Sequence, residues 1–153
     1  MTGIETFLAG VDLLADLTPE QLAELSGLAE ERSFEPDERV LEMDKPADVF
    51  HVLRSGRIAI EVEAPGRGPL IIETVGSGDV LGVSWLLPPY RWTFTARALE
   101  PTRTVAIDAA AVRTMAERDP AFGYRLYQRF AVVIHQRLVS ARVRALDLYD
   151  GDS

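Results

Sequence analysis

The sequence predicts an α+β fold: a double-stranded, jelly-roll-like β-roll flanked by N-terminal helices and a long C-terminal helix. Three observations predict it. Apolar residues recur at helical spacing near the amino terminus, alternate in short runs from residue 32 to 108, and return to helical spacing from 109 onward. Turn residues break the middle stretch at short intervals, as strands joined by tight connections require. With 153 residues the chain has the length of one domain, which can bury about two thirds of its unfolded surface.

The expected boundaries are one domain over 1–149, with N-terminal helices in 1–31, the β-roll in 32–108, C-terminal helices in 109–149, and a frayed tail at 150–153. Phe7, Leu8, Val11 and Leu14 suit a short helix or turn. Thr18-Pro19-Glu20-Gln21 then places a hydroxyl cap, a proline at the first helical position and a glutamine three residues after the cap. Leu22, Leu25, Leu28 and Ala29 follow as one apolar stripe.

Strand candidates are Val40-Leu41, Val49 to Leu53, Ile58 to Val62, Leu70 to Val75, Phe94 to Ala98 and Thr104 to Ile107. Pro36-Asp37, Asp44-Lys45-Pro46, Ser55-Gly56, the 65–69 loop and Gly76-Ser77-Gly78-Asp79 separate them. Gly56 and Gly78 stand where tight turns need positive φ.

Asp108 can cap a helix through about Arg118, and Asp119-Pro120 restarts one as a cap followed by a first-turn proline. Phe122, Leu126, Phe130, Val133, Ile134, Leu138, Ala141 and Ala145 are read as one face of that helix. Over 120–148 it would be roughly 43 Å long, longer than a barrel of this size. Its stripe is expected to meet a second copy of the chain, with Phe122, Leu126, Phe130, Val133 and Leu138 as the dimer seam. The alternative is a helix folded back on its own barrel.

Composition narrows the function. There is no cysteine, which removes disulfides, thiolate metal sites and a cysteine nucleophile. The net charge is −8; residues 1–108 hold 19 acids against 9 bases, and 109–153 hold 5 against 7. An acidic body is a poor partner for phosphate backbones, and no direct DNA binding is expected. The arginines 125, 129, 137, 142 and 144 are read as flanking an apolar seam or pairing with acids. Met1 to Ala9 lack a basic, apolar leader pattern, and no apolar run reaches the roughly 18 residues of a membrane span. A cytoplasmic protein without membrane contact is expected. His51 and His135 lie far apart in sequence and are read as surface residues rather than metal ligands. Glu61 and Glu63 are read as a solvated rim, and no G-x-S-x-G surrounds Ser55-Gly56. No catalytic residue and no metal site are expected.

The segments Phe34 to Leu41, Ala47 to Ile58, Gly76 to Gly82 and Thr95 to Ala98 together resemble the cyclic-nucleotide-binding domain family, which includes the catabolite activator protein's sensor domain. The resemblance spans roughly 7–145. It implies a phosphate-binding cassette opening at Gly82, where amides and an arginine meet the cyclic phosphate and a glutamate after the glycine holds the ribose 2′-hydroxyl. Here Val83 takes the glutamate position, and the arginine position falls on Trp92 unless Arg91 slides into the role. Positions that close over the base fall near Val133, Arg137 and Leu138.

The candidate ligand-contacting residues are therefore Ile72, Leu81, Gly82, Val83, Ser84 and Trp85, then Arg91, Trp92 and Thr93, with Val133 and Arg137 from the helix. Trp85, Tyr90, Trp92 and Phe94 make the cassette aromatic. They either stack on a flatter ligand or plug the pocket with their own rings. No cofactor is assigned beyond a cyclic nucleotide or another small ligand. The expected function is a non-enzymatic, stand-alone regulatory domain with a degenerate nucleotide pocket, a homodimer acting through a protein partner. The alternatives are a true cyclic AMP or cyclic GMP sensor using Arg91, and a purely structural interaction module with a plugged pocket.

Overall fold

A computed structural model describes residues 3–151, with side chains described through 147. Helix α1 spans Gly3–Ala9, a 3-10 turn spans Asp12–Leu14, and α2 spans Pro19–Ser26. Eight strands follow: β1 Ala29–Phe34, β2 Arg39–Leu41, β3 Val49–Ser55, β4 Ile58–Ala64, β5 Gly68–Val75, β6 Val80–Leu81, β7 Thr95–Ala98 and β8 Thr102–Asp108. Between β6 and β7 lies a second 3-10 turn, Ser84–Leu86. Helices α3, Ala109–Arg118, and α4, Pro120–Gly151, complete the chain. The expected tail at 150–153 is thus helical through Gly151; Asp152, Ser153, Met1 and Thr2 lie outside the described residues.

The strands form two four-stranded antiparallel sheets, ordered β1-β8-β3-β6 and β2-β7-β4-β5. This is the predicted β-roll. The α2 capping box closes as read: Thr18 Oγ1 accepts from the Gln21 amide at 3.1 Å, and Gln21 Oε1 accepts from the Thr18 amide at 3.0 Å. Asp108 caps α3 through the Ala111 amide, and Asp119 accepts from the Phe122 amide at the start of α4. Gly56 has φ +94, and a Cβ there would stand 2.7 Å from the Pro101 carbonyl oxygen. Only glycine allows the β3–β4 turn to lie against that chain.

Five expectations need correcting. Strand β1 begins at Ala29, inside the stretch expected to be helical. It is an edge strand whose acids find partners across and along the sheet: Glu31 with Arg54 and Arg103, Glu30 with Arg32. Strand β6, only two residues long, was not anticipated. His51 is a core residue on β3, with Nδ1 2.8 Å from Thr104 Oγ1 and Phe34 edge-on to its ring. Burial, with a smaller push from the Arg32 charge, pulls its pKa down to about 4, so the ring is neutral at physiological pH. Glu61 is buried rather than on a solvated rim, and Arg97 bridges it to Asp37.

The fifth correction concerns α4. Phe122, Leu126 and Phe130 are at most 1% exposed and pack into the chain's own barrel. Phe130 meets Phe50 and Trp85 edge-on, with ring centroids 6.1 and 5.1 Å apart. They are not a dimer seam. Val133, half-buried, continues this inner stripe, and only Leu138 of the expected seam is exposed. Beyond Phe130 most residues of the helix are open to solvent, with Val133 and Arg137 still half-buried against the barrel.

Helices α3 and α4 meet closely at their elbow. The Gly123 amide donates to the Asp119 carbonyl at 3.0 Å, and a Cβ at 123 would fall 2.9 Å from the Ala116 carbonyl oxygen. That contact fixes how α4 leaves α3 to pack Phe122, Leu126 and Phe130 into the core.

Candidate functional site

The residues between β6 and β7 form a short loop that the sequence bends sharply. Leu81 is fully buried, Gly82 turns the chain at φ +82, and Ser84–Leu86 make one 3-10 turn closed by Leu86 N–H to the Val83 carbonyl at 3.0 Å. Trp85 points inward and stacks on Phe50 at 4.1 Å, with the planes 3° apart. Among the described residues its buried Nε1 has no hydrogen-bond partner. After Pro88-Pro89 the chain runs back along Asp44 to Ala47. Ala47 N–H donates to the Tyr90 carbonyl at 2.7 Å, Trp92 N–H to Lys45 at 3.0 Å, and Asp44 N–H to Trp92 at 2.9 Å.

This pairing decides which way residues 91 and 92 face, because successive side chains in an extended segment point oppositely. Arg91 is exposed and donates from Nη1 to the Asp44 carbonyl at 2.7 Å. Trp92 is 3% exposed and lies over Gly82: a Cβ at position 82 would sit 2.5 Å from Trp92 Cζ3 and 3.0 Å from Phe94 Cζ. A bare backbone that close to an indole leaves no side-chain volume between them.

Two helices touch the loop. Arg113 of α3 donates from Nη1 to the Trp85 carbonyl at 2.7 Å, and its guanidinium lies 4.1 Å from the centroid of the Tyr90 ring. Arg137 of α4, half-buried, donates to the Val80 carbonyl and stands 3.9 Å from Glu73 of β5. It crosses a cleft of about 310 Å³ between α4 and β5–β6, whose walls include Val75, Val80, Val133 and Gln136.

The family model described as "Cyclic nucleotide-binding domain" matches residues 31–119, more than half of the chain. The chain belongs to the cyclic nucleotide-binding domain family. A protein of Geobacter metallireducens GS-15 described as cyclic nucleotide-binding is 30% identical, with 90% of this chain and 99% of that one covered, at a TM-score of 0.80. A cyclic nucleotide-binding domain from Methylobacillus flagellatus KT shares the fold at 19% identity and a TM-score of 0.79, covering 94% of this chain and 80% of that one. A protein of Rhodopseudomonas palustris described as a potassium channel is 26% identical over 123 residues, 80% of this chain. The chain spans only 29% of that curated relative's length.

For a cyclic nucleotide-binding domain the Gly82 loop is the segment where the phosphate-binding cassette is expected, and the structure gathers only part of the predicted set there. Leu81, Gly82, Val83, Ser84, Trp85 and Trp92 come together around the loop, with Leu81, Trp85 and Trp92 inside the core. Thr93 and Arg91 face solvent. Ile72 is 47% exposed and is the extra residue of a β-bulge, since Ile60 pairs with Glu73 and Glu61 with Ile71. Val133 and Arg137 reach β5–β6 from the helix, whereas Leu138 looks away from them into solvent. Arg113, Glu73 and Asp44 were missed as site residues, and Tyr90 was read only as part of the aromatic cassette. For Arg113 a faint signal existed: it lies four residues after buried Ala109 and three before Ala116, on the helix flank that meets the barrel.

Proposed function

We propose that this cyclic nucleotide-binding domain is a non-enzymatic, cytoplasmic regulatory module whose anion niche is filled by its own Trp92, and which acts by protein contact. The observation that carries the reading is the indole seated on Gly82 while Arg91, the nearest cation in sequence, bonds to Asp44 at the surface. The resemblance calls for a glutamate and an arginine, and Val83 and Trp92 stand in those places. A charge-assisted bond to phosphate is worth about 1.5–3 kcal/mol, so losing it and the ribose contact weakens nucleotide binding by several powers of ten.

The wild-type chain is accordingly expected to show no change in thermal midpoint with cyclic AMP, cyclic GMP or cyclic dinucleotides at about 1 mM. A ligand present at 100 times its Kd would add about 2.7 kcal/mol, a shift of several degrees for a domain of this size. Such a shift would restore the sensor reading, and its loss in Arg91→Ala would assign the phosphate to Arg91.

The partner that the exposed surface fits first is a second copy. Tyr124, Tyr127, Ala131, Ile134, Leu138, Ala141 and Ala145 are all exposed and follow one another at alternating steps of three and four, the spacing of a coiled-coil seam. Tyr124 and Tyr127 also line an apolar groove beside Ala116 and Gly123. This seam replaces the inner stripe expected from sequence. Ile134→Glu with Leu138→Glu is expected to convert a dimer to a monomer by light scattering, with an unchanged circular dichroism spectrum for the β-roll. A mass that does not change removes the second copy from the proposal.

A further inference from the structure

The elbow between α3 and α4 holds an open groove of about 620 Å³. Its floor is Ala116, Pro120 and Gly123, and it is bare for a reason. A Cβ at Gly123 would stand 2.9 Å from the Ala116 carbonyl oxygen, so no side chain can fill the space there. Tyr124 and Tyr127 line the groove and are 69% and 41% exposed. Three positions apart on a helix, they are neighbours on one face.

Three features make this a place for a cation rather than for any apolar group. Glu117 lines the same groove and, among the described residues, has no ion-pair partner, while the adjacent Arg118 is taken by Glu24. Burial raises the pKa of the Tyr127 hydroxyl most, and Tyr90 and Glu117 add to it against the Arg113 charge. Tyr90 and Glu117 therefore both act on that ring, whose phenol stays neutral at physiological pH. The aromatic surface beside the groove already carries one cation: the Arg113 guanidinium lies 4.1 Å from the Tyr90 ring centroid and donates to the Trp85 carbonyl. The groove's polar groups are at its rim, in Glu117, Gln128 and the tyrosine hydroxyls. An ammonium or guanidinium group on the floor would lose water without gaining acceptors. A trimethylammonium group spreads its charge over methyls that need no hydrogen bond, and aromatic faces attract it.

We propose that the α3–α4 groove binds a trimethylammonium group, as in choline, with Tyr124 and Tyr127 against its methyls and Glu117 balancing its charge. The site goes beyond the regulatory reading of the Gly82 niche and shares no lining residue with it. The two are therefore tested separately.

Choline is titrated into the full chain at constant ionic strength and followed by the tyrosine ring resonances. Saturation with a Kd of about 1 mM or tighter is expected. The alcohol 3,3-dimethyl-1-butanol has the same shape without the charge and is expected to bind at least about tenfold more weakly. Tyr124→Leu and Tyr127→Leu should each weaken choline about threefold or more, and the corresponding changes to Phe should retain binding. Glu117→Gln should weaken it about threefold. Sedimentation with phosphatidylcholine but not phosphatidylglycerol vesicles, lost in Tyr124→Leu, assigns the group to a lipid headgroup; saturation by choline without sedimentation assigns it to a free compound. Equal binding of the uncharged alcohol, no saturation by about 20 mM choline, or affinity unchanged in both Leu variants overturns the site. Binding seen only in the Ile134→Glu, Leu138→Glu variant gives the groove to a second copy of the chain and overturns it as well. The comparison of choline with the alcohol needs no variant, so the proposal stands or falls even where a substitution prevents folding.

Discussion

The double variant Val83→Glu, Trp92→Arg is expected to bind cyclic AMP with a Kd of about 10 μM or lower, at least about a hundredfold tighter than the wild type. The argument is geometric. Gly82 already turns the chain at φ +82, so its backbone has the bend that a phosphate niche needs. The space over that glycine is occupied by the Trp92 ring, and residue 92 faces inward by the register that Lys45 and Asp44 impose. An arginine placed there inherits the inward direction and supplies the charge-assisted bond, while a glutamate at 83 supplies the ribose acceptor. Together they restore about 3–6 kcal/mol, or two to four powers of ten. The cost is lost aromatic packing of about 3–5 kcal/mol at most, part of which the arginine stem recovers. Titration calorimetry on the folded variant gives the answer. A correctly folded double variant that binds no nucleotide would mean that something other than Trp92 closes the niche.

The second large effect separates the two faces of α4. Phe130→Ala is expected to destabilise the domain by about 3–5 kcal/mol, read as a lower urea midpoint at unchanged slope. Phe130 is fully buried and holds Phe50 and Trp85 in their edge-on contacts. Leu138→Ala, eight residues along the same helix and 47% exposed, is expected to change stability by no more than about 0.5 kcal/mol in a monomeric background. Equal costs for the two would place Leu138 in the domain's own core and abolish the outer seam.

Those two faces explain why the helix was legible and its orientation was not. Residues advance about 100° per position on a helix. Phe122, Leu126, Phe130 and Val133 make one stripe, and Tyr124, Tyr127, Ala131, Ile134 and Leu138 make another on a different side. Adjacent Val133 and Ile134 let the two be read as a single stripe, and only the barrel decides which of them it takes. The caps at Thr18, Asp108 and Asp119 and the turn glycines were readable because each depends on a local bond or dihedral. Strand β1, Ala-Glu-Glu-Arg-Ser-Phe, carried no alternation because charge pairs to Arg54, Arg103 and Arg32 hold its surface, and those partners are distant or carry no period.

The site divides in the same way. The absence of the expected glutamate and arginine at 83 and 92 could be read by counting along the chain. That Trp92 turns in and Arg91 turns out could not, since it follows from pairing with residues 44–47. Arg113 and Arg137 bond to carbonyls, and any residue can present a carbonyl. Such contacts leave no trace in residue type.

The stretch of α4 past Arg137 also behaves as a pointer. From Leu138 to Asp147 it extends about 15 Å at 1.5 Å per residue, rooted where Val133 and Arg137 meet the barrel. A tilt of about 10° at that root, within the range of small shear between packed helices, carries the tip about 3 Å sideways. Displacements too slight to see beside Gly82 would arrive at the far end as a change in what the pointer can touch.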